Sequence, residues 1–241
     1  MTTADAARRV VILQSAYLPW RGYFDLIDDA DLFVVYDDVQ YTRRDWRNRN
    51  RIANADGVHW ITVPVHFSRA MPTPIDRTPI DHDQPWARHH VNAITHAYAR
   101  APFFAEITGP LFEIICRRQA SISELNVALI RRICAMLEID TPIVMSRELN
   151  ATGSRTDRLV SIMGKVGGTA YLSGPAARAY LELEQFERRG LTVEYKVYEY
   201  PPYPQLHAAS REAMSIVDLL VMCGPDARRY VKSLATPERA V

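Results

Sequence analysis

Two stretches near the start of the chain carry most of the residues that could do chemistry. The first is Gln14-Ser15-Ala16-Tyr17-Leu18-Pro19-Trp20-Arg21-Gly22-Tyr23-Phe24. A loop that feeds a helix presents free backbone N–H groups, which attract anions and polar ligands. Gln14 and Tyr17 add hydrogen-bonding groups, and Trp20 adds an aromatic wall. The second stretch runs from Asp37-Asp38-Val39-Gln40 to Trp46-Arg47-Asn48-Arg49-Asn50-Arg51. Adjacent carboxylates can orient an amine, take a proton or bind Mg²⁺. Arginines offer planar forks for phosphate or carboxylate, and asparagine supplies both donor and acceptor.

Further along, Trp86 and His90 lie one helical turn apart, and His90 is a candidate base near neutral pH. His89 and His90 are adjacent and diverge on a helix, so they do not read as a metal pair. Tyr171-Leu172-Ser173-Gly174 ends an apolar run before a helix, which makes Ser173 a candidate contact. Tyr203 and Gln205 follow the last expected strand and are expected over the same edge. Cys116, Cys134 and Cys223 read as buried thiols rather than a disulfide frame. Gly224 reads as a helix cap behind Cys223, whose thiol pKa is expected to rise at that helix end. No GxSxG, Walker or GxGxxG pattern is present.

These groups need a scaffold, and the hydrophobic pattern supplies one. Val10–Leu13, Leu32–Tyr36, Ile143–Met145 and Ala170–Leu172 are short continuous apolar runs, as in strands buried on both faces. Each is followed by a helix or loop, so they are expected in one largely parallel sheet, with ligands at the carboxyl ends. Val58–Val65 and Val193–Tyr200 read as further strands. Helices are expected over Gly22–Ile27, Trp86–Tyr98, Phe104–Arg118, Ile122–Leu137, Asp157–Val166, Ala176–Phe186 and Ser215–Met222. The fold class is therefore α/β and Rossmann-like, a single domain over 1–241 with a helical insertion at roughly 85–138. The Pro-rich stretch 71–79 is expected to be irregular.

Bulk composition narrows the function classes. Lysine plus arginine outnumber acids by only 29 to 28, which gives no broad drive toward nucleic acid or an anionic membrane. At 48% hydrophobic and 24% charged, the chain is globular in composition. With no export signal core and no bilayer-length apolar run, it is expected in the cytoplasm.

The ordered motifs resemble the WbqC-like protein family nearly end to end. The resemblance rests on Gln14-x-x-Tyr17-Leu18-Pro19-Trp20-x-Gly22-Tyr23-Phe24, Asp31, Asp37-x-Val39-Gln40 and Trp46-x-Asn48-Arg49-Asn50. It continues through Trp60-x-x-Val63-Pro64-Val65, Trp86–His90, Tyr98 with Ala101–Phe104, Tyr171–Gly174, Tyr203-x-Gln205 and Ser215–Leu220. Gln14-Ser15 stands where the family usually shows Gln-Pro, and Cys223 stands where a polar residue is expected. The resemblance implies a tailoring transferase of bacterial polysaccharide or natural-product biosynthesis. The expected reaction moves an acyl or aminoacyl group from a thioester, on coenzyme A or an acyl carrier protein, to a small-molecule amine or amino sugar. On that reading His90 or Asp38 takes the proton, Tyr17 assists, and no metal or cofactor is needed. Gln14, Trp20, Asp37, Gln40, Trp46, Asn48, Arg49, Asn50, Ser173, Tyr203 and Gln205 bind substrate. The alternatives are a nucleotide- or nucleotide-sugar-dependent transferase with a HIGH-like loop, or a non-catalytic carrier-binding scaffold. Trp20 and Tyr23 stand where a HIGH loop needs its histidines.

Overall fold

The apolar runs become adjacent strands of one sheet. In the computed structural model, which describes residues 7–68, 70–207 and 213–240, the order of its strands is β5-β2-β1-β6-β7-β8. These are β1 (Arg9–Leu13), β2 (Leu32–Val35), β5 (Ile143–Met145), β6 (Ala170–Ser173), β7 (Thr192–Tyr195) and β8 (Glu238–Arg239). All neighbours are parallel except β8, which closes one edge antiparallel to β7. The N-terminal residues 1–6, part of the stretch on which the expectation about an export signal rests, lie outside the described residues.

Alternation along β1 divides the interior into two cores. Val11 joins Phe33, Val35 and Leu172 on one face, packed against α1 (Arg21–Asp28), α7 (Ile216–Cys223) and the helical insertion. Val10 and Ile12 face the other way with Leu32, Val34 and Val193, against α5 (Arg155–Val166) and α6 (Leu183–Glu187). Strands covered on both faces have no polar side to show, which is why they read as unbroken apolar runs.

The insertion between the two parts of the sheet is α2 (Trp86–Tyr98), α3 (Phe104–Cys116) and α4 (Ile122–Met136). Helix α4 starts at Ser121, whose side chain accepts from the Glu124 backbone N–H. Helix α5 stops at Gly167 in the left-handed conformation (φ 63°), with its N–H returned to the last turn. Gly224 ends α7 with positive φ, as its cap reading requires. The Pro-rich stretch holds only a short 3-10 turn at Ile75–Arg77.

Three expectations need correction. The strand at 58–65 is the second arm of an antiparallel hairpin, β3 (Arg49–Asn54) with β4 (Gly57–Thr62), separate from the main sheet. Its first arm was hidden because Arg-Asn-Arg-Ile-Ala-Asn has too many polar residues to look like a strand. The helix expected over 176–186 is a 3-10 segment, Pro175–Ala179, followed by the short α6. Cys116 is exposed at the end of α3, whereas Cys134 and Cys223 are buried.

Candidate functional site

Strands β1 and β6 are neighbours whose connections run to opposite ends of the sheet: β1 leads to β2, and β6 to β7. Such a switch point leaves a crevice beyond the carboxyl ends of the strands, the usual ligand position in open α/β sheets. A cleft of about 1000 Å³ lies there. Leu13 and Gln14 from the end of β1, Tyr171 from β6 and Tyr36 after β2 line it. Thr156 and Arg155 enter from the start of α5, and Tyr180 and Glu182 from the segment before α6. Trp20, Trp46, Arg47 and Asn50 complete the wall.

Four of these side chains, drawn from different elements, have no hydrogen bond or ion pair among the described residues. They are the Gln14 carboxamide, the Tyr36 and Tyr180 hydroxyls and the Arg155 guanidinium. Arg155 is held at φ 50°, a backbone region that costs a non-glycine residue strain. Glu182 is the one carboxylate lining the cleft among the described residues, and its Oε2 accepts from Gln185 Nε2 at 2.7 Å. Trp20 packs edge-on against Tyr198 at 4.8 Å and Tyr200 at 5.9 Å. Gly22 makes room for that indole, since a Cβ there would stand 2.3 Å from the ring.

Of the residues picked out in the sequence, Gln14, Trp20, Trp46 and Asn50 line the cleft. Asn50 also serves structure, donating through Nδ2 to the carbonyls of Tyr17 and Leu18. Several others hold the cleft loops from outside it. Asp37 is fully buried: one carboxylate oxygen accepts from the Ser15 backbone N–H at 2.7 Å, the other from Ser123 Oγ at 2.5 Å. Burial pushes its pKa up against those hydrogen bonds. Asn126 of α4 donates to both Ser15 Oγ and the Arg47 carbonyl, tying the two loops together. Tyr17 N–H bonds to the Trp46 carbonyl at 3.0 Å, and Asn48 donates to the Val63 carbonyl at 2.7 Å.

His90 is only 4% exposed and lies outside the cleft. Its Nδ1 is 2.9 Å from Tyr17 Oη and its Nε2 is 3.2 Å from the Thr62 carbonyl. A carbonyl needs a donor, so the neutral Nε2–H tautomer satisfies both contacts, with Tyr17 donating to Nδ1. Burial lowers the His90 pKa to about 4. Since the unfolded imidazole titrates near 6.5, the unfolded chain binds the extra proton between the two values. Stability from this site is complete above about 6.5 and is lost as pH falls toward 4, up to about 3 kcal/mol. Urea midpoints at pH 7.5 and 4.5 should therefore fall more for the native chain than for His90→Gln. Equal falls would show that His90 does not titrate this way.

The remaining candidates are elsewhere. Asp38 Oδ1 accepts from Ser146 Oγ and its Oδ2 pairs with Arg158, both at 2.5 Å. Gln40 is exposed, its backbone bridged to Pro74. Arg49 lies over Trp60 at 4.2 Å on the hairpin. Ser173 is buried under Tyr171, 3.3 Å from its hydroxyl. Tyr203 and Gln205 do not reach the sheet edge as expected. They donate instead to Asp218 of α7, a fully buried carboxylate that also accepts from Tyr98. Cys223 has its thiol pKa raised to about 11, chiefly by burial and secondarily by Asp218 and Asp226.

Tyr36, Arg155, Thr156, Tyr180 and Glu182 escaped the sequence reading. The one available signal was Ser154-Arg155-Thr156, a plausible helix start with an arginine at its edge. Among the described residues no helix is long and apolar enough to cross a membrane.

No solved structure matches the chain. A protein of Mycobacterium tuberculosis (strain ATCC 25618 / H37Rv), "Uncharacterized protein Rv1507c", is 40% identical over 227 residues, covering 93% of this chain and 98% of that one. The model of the WbqC-like protein family matches residues 14–230. That match begins at Gln14, the cleft residue just past β1, and takes in the later wall residues and the tethers described above, so the chain belongs to the WbqC-like protein family.

Proposed function

We propose that the protein is a transferase that moves an acyl or aminoacyl group from a thioester to an amine in the switch-point cleft. The observation that carries this reading is the set of unpartnered polar groups in one aromatic-walled cleft, with arginines and a single carboxylate around them. The amine nitrogen attacks the thioester carbonyl, a C–N bond forms and the C–S bond breaks. The acceptor enters as an ammonium: one proton passes through Glu182 to solvent and the second leaves with the thiol, so the products are amide, thiol and one proton.

Each part of that reaction has a group suited to it. Glu182 receives the acceptor's ammonium and takes its proton, since a charged amine cannot attack. The Gln14 carboxamide, with no partner among the described residues, donates to the oxygen that becomes negative in the tetrahedral intermediate. Arg47 and Arg155 face the donor's phosphates, and the tyrosine walls exclude water. Positioning supplies much of the rate, because amines need little activation to attack a thioester. His90 and Asp38 are given no proton-transfer role here: the first is sealed behind Tyr17, and the second is held by Arg158 and Ser146.

The test is a matrix of acyl- and aminoacyl-coenzyme A thioesters against amines and amino sugars, read by thiol release and mass of the amide. Amide formed in proportion to enzyme is the expected result, while thiol release without amide in every combination contradicts it. A nucleotide-sugar donor is the second reading, favoured by the cleft's switch-point position. Thermal protection by nucleotide sugars but not by thioesters would select it.

A further inference from the structure

The hairpin β3–β4 presents one face to the cleft loops and the other to solvent. Residues paired across the two strands share a face, so Arg49 and Arg51 lie with Thr62 and Trp60, and Ala53 with Val58. Trp60 is 47% exposed, Trp46 43% and Val58 38%, so three of the six exposed large hydrophobics among the described residues belong to this hairpin and the loop before it. Arginines surround them. Residues 41–51 hold five arginines (43, 44, 47, 49 and 51) and one acid, Asp45, in a chain whose net charge is only +1. The neutrality of the whole therefore conceals a local positive field beside the cleft mouth.

Trp46 belongs to both features. It lines the cleft, and its ring lies 5.3 Å from Trp60. Arg49 sits 4.2 Å over Trp60, and Arg51 lies 5.7 Å from Trp46 and 5.8 Å from Trp60. The stacked guanidiniums and rings make a preformed surface that loses little side-chain freedom on contact.

We propose that this hairpin face docks an acidic acyl carrier protein, whose phosphopantetheine arm then enters the cleft past Trp46. The proposal rests on the transfer reading above and specifies its donor. Three considerations select this partner. Six-residue strands give a platform about 20 Å long, too extended for the phosphates of a small donor alone. Tryptophan and arginine together are the residue types that carry protein interfaces, and a positive patch selects an acidic partner. Single-stranded nucleic acid would need open ring faces for base stacking, whereas here Arg49 covers Trp60 and the two indoles lean on each other.

The experiment measures binding of a fluorescent acidic carrier protein in its holo form by anisotropy, and of coenzyme A by calorimetry. The variants are Arg43→Glu/Arg51→Glu and Trp60→Ala, none of which lines the cleft. Carrier binding should weaken at least about tenfold in each variant and at high salt, with coenzyme A binding and the melting temperature unchanged. Carrier binding that is absent at low salt, or indifferent to these variants, overturns the docking surface. So does tighter binding of a single-stranded RNA oligonucleotide with the same dependence on the variants. The two readings fail separately. Carrier binding with no amide formed from any loaded thioester removes the transfer chemistry and leaves the docking surface. Amide formed from coenzyme A thioesters without carrier binding does the reverse.

Discussion

Gln14→Leu is expected to lower kcat/KM for amide formation by roughly a hundredfold to a thousandfold while leaving the melting temperature near its original value. The two halves of that expectation come from one fact. The Gln14 carboxamide has no hydrogen bond among the described residues, so leucine removes no tether and leaves no orphaned partner there. Its backbone carbonyl, which accepts from Tyr23 Oη at 3.1 Å, is unaffected. On the proposed transfer reaction leucine removes the donor to the developing oxyanion, so the loss should fall on kcat rather than on donor binding. Glu182→Gln should act differently, raising the KM for the acceptor because a neutral amide no longer attracts an ammonium. His90→Gln should stay within a few-fold of native turnover at pH 7.5. Steady-state kinetics on these three variants separates the roles. Retention of native kcat by Gln14→Leu would remove the oxyanion role.

The contrast between Gln14 and His90 shows what the sequence can and cannot reveal. Gln14 was legible because a polar residue stands where a strand covered on both faces is about to end, and only a loop or a site tolerates that. His90 has no such signature. A histidine on a helix is marked equally by catalysis and by burial, and its partners Tyr17 and Thr62 are remote in the chain. Strands β1, β2, β5 and β6 were readable one by one, since burial on both faces leaves an unbroken apolar run, whereas β7 is shorter than the expected 193–200 and the exposed edge strand β8 gave no signal. The order of the strands was not readable. Arg155, Tyr180 and Glu182 meet Gln14 because β6 lies beside β1, a neighbour more than 150 residues away in sequence, whereas Tyr36 arrives from β2 on the other side of β1. The hairpin arm Arg49–Asn54 was misread for another reason. Its outer face carries arginines over tryptophan, so period-two alternation was present with charge in place of the usual neutral polar residues. The ordered motifs were legible as a family, yet many of them proved to brace the cleft rather than line it. Asp37, Tyr17 and Asn48 hold loops, and Tyr203 and Gln205 hold α7.

The least legible feature carries the largest expected effect on stability. Asp25, in the middle of α1, is fully buried and accepts from Lys196 Nζ at 2.8 Å, Tyr200 Oη at 2.9 Å and the Ser233 N–H at 3.1 Å. Lys196 is itself only 2% exposed and reaches Asp29 as well, at 2.5 Å. Lys196→Met is expected to cost about 3–5 kcal/mol at neutral pH, because it keeps the volume of the stem and strands a carboxylate out of water. Burial already raises the Asp25 pKa despite its partners. Without the ammonium it rises further, so Asp25 takes up a proton as pH falls and the penalty shrinks. Urea midpoints of Lys196→Met should thus approach those of the native chain on going from pH 7 to pH 5. Adding Asp25→Asn should recover much of the loss, since an amide can stay neutral while still accepting from Tyr200. The effect should reach the cleft too. Tyr200 packs against Trp20, and the Arg21 guanidinium sits 4.4 Å over the Tyr200 ring. Loosening Asp25 therefore frees the aromatic wall, and ligand affinity should fall in step with stability. A loss below about 1 kcal/mol that stays level between pH 7 and pH 5 would mean that Asp25 is already protonated beside Lys196, and one that grows toward pH 5 would mean that a stranded carboxylate is not its cause.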